Sequence, residues 1–161
     1  MRRWFRRSSA GYTFIELVVA TAVMMILASA ALPLARVSIR RQRESDTRRT
    51  LREMRTAIDN FKRLADSPNG IASTEMRVGC ENYPPSLEIL VDGATRANDA
   101  SGRKVKFLRR IPIDPLIGRA EWGLRSYADP PNATTWGGQC VFDVYSKAEG
   151  TGLDGTKYRE W

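Results

Sequence analysis

An apolar run of 19 residues without a formal charge, residues 17–35, constrains this chain more than any other feature. As a helix the run is about 28 Å long, close to the thickness of the hydrocarbon core of a bilayer. We therefore expect it to span a membrane once. A secretory signal cleaved near residues 28–31 is the alternative, but the apolar run continues beyond those small residues. Pro33 lies inside the run, where membrane helices tolerate a bend.

The charge distribution predicts which end of the chain stays in the cytoplasm. The 26 Lys+Arg against 18 Asp+Glu give a net charge of +8. Residues 1–11 carry four arginines and no acid, residues 36–66 carry ten basic and five acidic side chains, and residues 67–161 carry twelve of each. Basic residues beside a membrane helix favour its cytoplasmic side, but both flanks are basic here, so this rule alone does not decide the orientation. We place residues 1–11 in the cytoplasm because they contain no acid, and we expect no nucleic-acid partner for the neutral C-terminal part.

The composition also argues against an enzyme. The chain has no histidine, which removes the commonest general base and the commonest transition-metal ligand. Four aspartates, Asp114, Asp129, Asp143 and Asp154, lie beside turn or strand signals without a recognisable catalytic spacing. We predict that the chain is not an enzyme and that an anchored hydrolase using paired acids is the least favoured alternative.

One carboxylate, Glu16, lies at the start of the apolar run. A charge inside lipid costs roughly 2.5–3.5 kcal/mol, so Glu16 either marks the membrane edge or has a partner there. Glu16 is part of the sequence GYTFIEL at residues 11–17. Together with the arginine-rich segment before it and the apolar run after it, this sequence resembles the prepilin motif of type IV pilins and type II secretion pseudopilins.

The resemblance implies a processing site and an assembly contact. A prepilin peptidase would cut between Gly11 and Tyr12 and methylate the new N-terminus. Tyr12 differs by one hydroxyl from the phenylalanine usual in the family. Glu16 would then pair with the ammonium group of Tyr12 in an adjacent copy, since two charges that are costly alone in an apolar layer become tolerable as a pair.

A second helical pattern follows the apolar run. Five apolar side chains recur at spacings of 3, 4, 3 and 3, which places them on one stripe of a helix: Leu51, Met54, Ile58, Phe61 and Leu64. We expect the stripe to pack against its own domain rather than in a coiled coil, because two heptads are too few. Residues 37–50 have few large apolar side chains and predict a solvated bridge. The expected helix runs over residues 14–65 and ends at the turn sequence SPNG, residues 67–70.

The remaining residues, 67–161, are rich in turn formers and contain short strand candidates at 105–108, 124–128 and 140–146. In the last candidate, Cys140, Phe142 and Val144 are expected on one face. A small antiparallel sheet packed on the helical stripe gives an α+β fold, which the resemblance identifies as type IV pilin-like. The expected segments are a cleaved leader (1–11), a membrane half (12–35) and a solvated and amphipathic half (36–66) of the long helix, and a periplasmic head (67–161).

Three segments of the head are similar to the major pseudopilin, often called general secretion pathway protein G: NYPPSLEIL at 82–90, IPIDPLIG at 111–118, and VYS at 144–146 followed by GLD at 152–154. The resemblance implies a structural subunit of the bacterial inner membrane that polymerises into a periplasmic pseudopilus and promotes export through an outer-membrane secretin. The implied partners are other copies, minor pseudopilins, the prepilin peptidase, an inner-membrane assembly platform with its ATPase, and lipid. The alternative is a type IV pilin or a DNA-uptake or adhesive minor pilin.

Two further features concern the stability of the head. Many relatives bind calcium in the C-terminal loop, for which Glu149, Asp154 and the neighbouring Asp143 supply carboxylates here. The loop is shorter than the family pattern, so we expect a glycine turn closed without metal, with calcium as the alternative. If the head is periplasmic, Cys80 and Cys140 are expected to form a disulfide, while two separate thiols are the alternative.

Overall fold

The computed structural model describes residues 11–97, 99 and 101–161, and of residues 30–32 it describes the backbone alone. Apart from Gly11, the expected leader lies outside the described residues. The chain divides into two compact units, Met1–Arg40 and Arg41–Trp161. We call them the N-terminal unit and the C-terminal unit.

Helix α1, Phe14–Ala65, contains 52 residues and contributes to both units, as the sequence pattern predicts. In its apolar part, the hydroxyls of Thr21 and Ser29 donate to the carbonyls of Val18 at 2.9 Å and Ile26 at 2.7 Å. These hydroxyls therefore need no water, which suits an apolar surrounding.

Helix α1 ends at the predicted turn. The Ser67 hydroxyl donates to the Leu64 carbonyl at 2.6 Å and satisfies one of the last free carbonyls of the helix. Gly70 passes so close to the helix end that a Cβ atom there would lie 2.7 Å from the Ala65 carbonyl oxygen. Only glycine fits this position without a shift of backbone.

Short elements make up the rest of the C-terminal unit. They are a 3₁₀ turn at Ser73–Glu75, helix α2 at Glu88–Asp92, strands β1 at Ala94–Thr95, β2 at Lys104–Val105, β3 at Trp122–Arg125 and β4 at Asp143–Ser146, and a 3₁₀ turn at Tyr158–Glu160. Strands β1 and β2 pair antiparallel, and so do β3 and β4. The α+β class is therefore confirmed, but the described strands form two sheets of two strands instead of one sheet.

The core of the C-terminal unit forms around the predicted stripe of α1. Leu51, Met54, Ile58 and Phe61 are at most 1% exposed, and Leu64 is partly buried beside them. The opposing side chains come from α2, the sheet of β3 and β4, and the loops: Leu90, Trp122, Val141 and Val144. The stripe packs within its own unit, which confirms that interpretation over a coiled coil.

The strand predictions need correction at their bounds. Residues 140–142 precede β4, and the predicted alternation fails there, since Val141 is fully buried while Phe142 is 41% exposed. The reason is long-range anchoring. The Val141 amide donates to the Pro84 carbonyl at 2.8 Å, and Cys140 is covalently joined to Cys80. A loop held in this way does not follow the two-residue period of a strand.

The prediction of a solvated bridge at residues 37–50 is wrong for its second part. Glu44 is 7% exposed and Thr47 is fully buried. Both are polar, so hydropathy gives no sign of their burial. Their partners lie about 70 to 110 residues further along the chain, in the segments around Asp114 and Leu153.

Candidate functional site

The expected processing junction lies in exposed, non-helical chain just before α1. Gly11, Tyr12 and Thr13 are not helical, and Tyr12 is 84% exposed. A Cβ atom on Gly11 would meet no atom within 4 Å. Packing among the described residues therefore does not require glycine at this position.

Thr13 caps the N-terminus of α1. Its hydroxyl accepts a hydrogen bond from the Glu16 amide at 3.3 Å, and its carbonyl accepts one from the Leu17 amide at 3.2 Å. Threonine three residues before glutamate is the sequence signature of a capping box. The GYTFIEL sequence contains this signal, although the cap was not among the predicted features. The cap fixes the first turn of the helix, on which Glu16 lies.

The Glu16 side chain is exposed in the first turn of α1. A carboxylate is favourable at this end of a helix because the free amides there carry partial positive charge. Among the described residues, its carboxylate makes no hydrogen bond or ion pair. Within the part of the chain that the structure describes, the Glu16 side chain is therefore available for a partner.

The apolar part of α1 presents its side chains outward. The most apolar 18-residue window of the helix has a mean hydropathy of 2.3 and is 0% buried. Met24, Met25, Ile26 and Leu27 are each 66–69% exposed. One N-terminal helix is therefore long and apolar enough to span a membrane.

The C-terminal loop forms a glycine turn held by protein groups. The Gly152 amide donates to the Thr156 carbonyl at 2.7 Å, and the Gly155 amide donates to the Gly152 carbonyl at 3.0 Å. The Asp154 carboxylate accepts hydrogen bonds from the hydroxyl of Thr156 at 2.7 Å and its amide at 3.0 Å, and it forms an ion pair with Arg48. The Thr156 hydrogen bonds, with Arg48 as a further cause, lower the pKa of Asp154 to about 2.

Asp143, the third carboxylate considered for calcium, lies between two guanidinium groups. Arg55 Nε lies 2.7 Å from one carboxylate oxygen, and Arg125 Nη1 lies 3.3 Å from the other. Arg125 is 5% exposed, and its guanidinium stacks on the Tyr145 ring at 4.2 Å. A buried arginine of this kind requires a carboxylate partner.

The three carboxylates do not assemble into a calcium site. Glu149 is exposed, while Asp143 and Asp154 are engaged by separate arginines. No group of three or more potential metal-ligating side chains occurs among residues 11–97, 99 and 101–161. Calcium needs six to eight oxygen ligands, and these three carboxylates do not converge to supply their share of them.

Three side chains of α1 hold the C-terminal segment, and we call them the latch residues: Glu44, Arg48 and Arg55. The Glu44 carboxylate accepts hydrogen bonds from the Leu153 amide at 3.0 Å and from the Tyr158 hydroxyl at 2.8 Å. Arg48 stacks on the Trp161 ring at 4.1 Å in addition to its ion pair with the turn.

Arg55 makes the most extensive contacts of the three latch residues. Besides its ion pair with the carboxylate of β4, it donates to the carbonyl of Val144 at 3.1 Å and to the backbone oxygen of Trp161 at 2.8 Å. The latch residues were not predicted as a site, since Glu44 and Arg48 lie in the segment expected to be a solvated bridge. Their spacing of four and seven places them on one helix face, but the charged residues around them share that pattern.

Cys80 and Cys140 form a disulfide across 60 residues, with their Cα atoms 5.5 Å apart. Both residues are buried, at 3% and 4% exposure. The bridge ties the loop before the NYPPSLEIL segment to the loop before β4. The described chain contains no free cysteine.

The aspartates considered for catalysis have structural partners. Asp114 is fully buried, and its carboxylate accepts hydrogen bonds from the Ser146 hydroxyl at 2.5 Å, the Leu116 amide at 2.9 Å and the Thr47 hydroxyl at 3.3 Å. Asp129 accepts from the amides of Ser126 and Gly137, which lower its pKa. Asp114 joins α1, the IPIDPLIG turn and β4, and Asp129 closes a loop.

Comparison with known proteins bears on the N-terminus of the chain. No curated protein and no solved structure matches the chain. A family model described as the prokaryotic N-terminal methylation motif matches residues 6–32. The match contains Gly11, Tyr12, Glu16 and most of the apolar run, and it indicates processing by a prepilin peptidase. The chain therefore carries, where its sequence predicts it, the prepilin-type motif that marks type IV pilin-like proteins.

Proposed function

We propose that this chain is a pseudopilin of a type II secretion system, processed at Gly11 and polymerised into a periplasmic pseudopilus. One observation carries the proposal: an exposed glycine junction directly precedes a capped apolar helix, whose first turn presents an available carboxylate. From residue 8 to residue 35, Glu16 is the only formally charged side chain. In this proposal the glycine junction is the cleavage site, and the Glu16 carboxylate is the assembly contact.

Processing at the junction explains why glycine stands at residue 11. Exposed, non-helical chain is accessible to a protease, and recognition by that protease would account for a glycine that the packing of the described residues does not require. Cleavage also removes four arginines, which could not enter a bundle of apolar helices. It creates an ammonium group at Tyr12.

Assembly through Glu16 follows from the cost of unpaired charge. When apolar helices pack side by side, an isolated carboxylate or ammonium group between them costs several kcal/mol. Pairing Glu16 of one copy with the new N-terminus of the next removes this cost. The two groups meet only when the neighbouring helices are offset along their axes by the correct distance. The exposed apolar side chains of α1 would contact lipid before assembly and neighbouring helices after it.

The secretion role draws its support from the head segments that resemble the major pseudopilin. In this proposal the chain supplies no catalysis, while a peptidase, a membrane platform and an ATPase act on it. Minor pseudopilins would join the same filament. The C-terminal unit would lie in the periplasm, where a disulfide between Cys80 and Cys140 is stable.

The first test is the intact mass of the full chain expressed with a prepilin peptidase. We expect wild type to lose residues 1–11 and gain one methyl group. Gly11→Ala should remain full length, although it fits the described fold without a clash. An uncleaved wild-type chain would contradict the proposal at its first step.

The second test concerns assembly of the processed chain. Glu16→Gln should still be cleaved but should lower the yield of sedimentable filaments by about 100-fold, since an unpaired ammonium group in the apolar layer costs roughly 3 kcal/mol. Glu121→Gln, which changes an exposed carboxylate of the C-terminal unit, is the matched control and should assemble normally. Equal filament yields for the two variants would refute the role of Glu16.

The third test separates secretion from the alternative of a long pilus. Deleting the gene in its own cell should retain exported proteins in the periplasm while leaving surface filaments and DNA uptake intact. Loss of surface filaments or DNA uptake with normal secretion would instead establish the type IV pilin alternative.

A further inference from the structure

The latch residues hold the C-terminal segment against α1, which is the task that a bound cation performs in a calcium-stabilised loop. A calcium ion stabilises a loop by gathering carboxylate and carbonyl oxygens around one positive centre. Here the segment 153–161 is instead tied to α1 by Glu44, Arg48 and Arg55. The same segment thus has a fixed position through contacts of the protein alone.

The charges of this region balance without a metal ion. The latch contacts contain three carboxylates and three guanidinium groups. The carboxylates are those of Glu44, Asp143 and Asp154, and the guanidinium groups are those of Arg48, Arg55 and Arg125. Two of the carboxylates each lie within 4.0 Å of an arginine nitrogen. A divalent cation would have to displace these arginines and would then meet their charge at close range.

The polarity of the loop backbone also opposes a cation. The Leu153 amide points its N–H group at the Glu44 carboxylate, at 3.0 and 3.2 Å from its two oxygens. The amide of Thr156 likewise points at the carboxylate of the turn. A calcium site needs carbonyl oxygens in these directions, whereas the loop presents donors.

We propose that the C-terminal unit is calcium-independent because the latch replaces the cation of its relatives. Arg55 contributes most to the latch, since it is half-buried and contacts Asp143, Val144 and Trp161 together. Arg48 contributes less, because exposed ion pairs are weak. This inference does not depend on filament assembly or secretion, since it concerns the unassembled chain.

The test is thermal unfolding of the full chain, purified in detergent micelles and followed by tryptophan fluorescence. We would compare excess EDTA with about 5 mM calcium chloride, which exceeds the weakest Kd usual for extracellular calcium modules, about 1 mM. We expect the two melting temperatures of wild type to agree within about 1 °C. A calcium-dependent rise of more than about 3 °C would overturn the inference.

Matched arginine variants test the latch itself. Arg55→Gln should lower the melting temperature by about 5 °C or more, equally in calcium and in EDTA. Arg52→Gln is the control, because it removes the same charge one helical turn away. Arg52 makes no side-chain hydrogen bond or ion pair within the described chain, so this variant should change the melting temperature by about 1 °C at most. Equal effects of these two variants would refute the latch.

A second pair of variants, with a smaller expected change in melting temperature, serves if Arg55→Gln does not fold. Arg48→Gln should lower the melting temperature by about 2 °C relative to Arg49→Gln, with or without calcium. If Asp154 instead belonged to a calcium site, removing the neighbouring Arg48 charge would strengthen calcium binding. A calcium-dependent stabilisation that grows in Arg48→Gln would therefore contradict the latch and favour the metal.

Discussion

Replacing both Cys80 and Cys140 with alanine should destabilise the C-terminal unit by a calculable amount. The disulfide spans 60 residues. In the chain-entropy treatment, closing a loop of that length removes about 14 cal/mol/K from the unfolded chain, which corresponds to about 4 kcal/mol at 25 °C. Alanine suits both sites because they are buried and a serine hydroxyl there would require a new partner.

The predicted loss converts into a large shift in melting temperature. Unfolding entropies near 2.1 cal/mol/K per residue give about 250 cal/mol/K for the roughly 120 residues of the C-terminal unit. Dividing 4 kcal/mol by this entropy predicts a fall of about 15 °C. Trp122 is 5% exposed in the core, so its fluorescence reports unfolding of this unit rather than of the apolar helix.

Reduction of the wild-type chain supplies the control. Dithiothreitol opens the bridge without removing the sulfur atoms, so it isolates the loop-closure contribution from lost packing. We expect reduction to lower the melting temperature of the wild type by about the same 15 °C. The melting temperature of the double alanine variant should not respond to the reductant. A fall below about 5 °C in both cases would show that the loops around the bridge are already fixed by other contacts, and it would refute the entropic argument.

Three further predictions concern the C-terminal unit. Gly123→Ala should lower the free energy of unfolding by about 2 kcal/mol in a denaturant titration, because the new Cβ would lie 2.1 Å from the buried Tyr145 ring; a neutral result would mean that the ring moves at little cost. Asp114→Ala should cost about 3 kcal/mol in the same assay, since the buried Ser146 hydroxyl and the partly buried Leu116 amide lose their acceptor, and a loss below about 1 kcal/mol would contradict this. The pKa of Asp154 is lowered to about 2, mainly by hydrogen bonds from Thr156, so its contribution should be complete above about pH 4 and vanish as the pH falls through 2. The difference in melting temperature between wild type and Asp154→Asn should accordingly shrink between pH 5 and pH 2, and a constant difference would refute this assignment.

The features that the sequence predicted are those encoded by local patterns. The apolar run, the GYTFIEL sequence and the stripe from Leu51 to Phe61 each depend on neighbours within a few helical turns. The helix bounds, its buried face and the motif at its start therefore followed from period and composition. The end of α1 followed from turn chemistry at residues 67–70.

The features that the sequence did not predict depend on distant partners. The strands are two to four residues long, too short for a two-residue period to be reliable. Residues 140–142 resemble a strand, but the disulfide and the Pro84 carbonyl fix them otherwise. The burial of Glu44 and the latch contact of Arg55 are invisible in a hydropathy pattern, since both side chains are charged and their partners lie far along the chain.

The position of the latch has a consequence for the order of folding. Its hydrogen bonds join residues 88 to 114 positions apart, so the beginning and the end of the C-terminal unit meet across nearly its whole length. Contacts between residues so far apart in sequence form late, because the long loop between the two residues must close first. The unit cannot complete its fold until residues 153–161 have been synthesised and have reached α1.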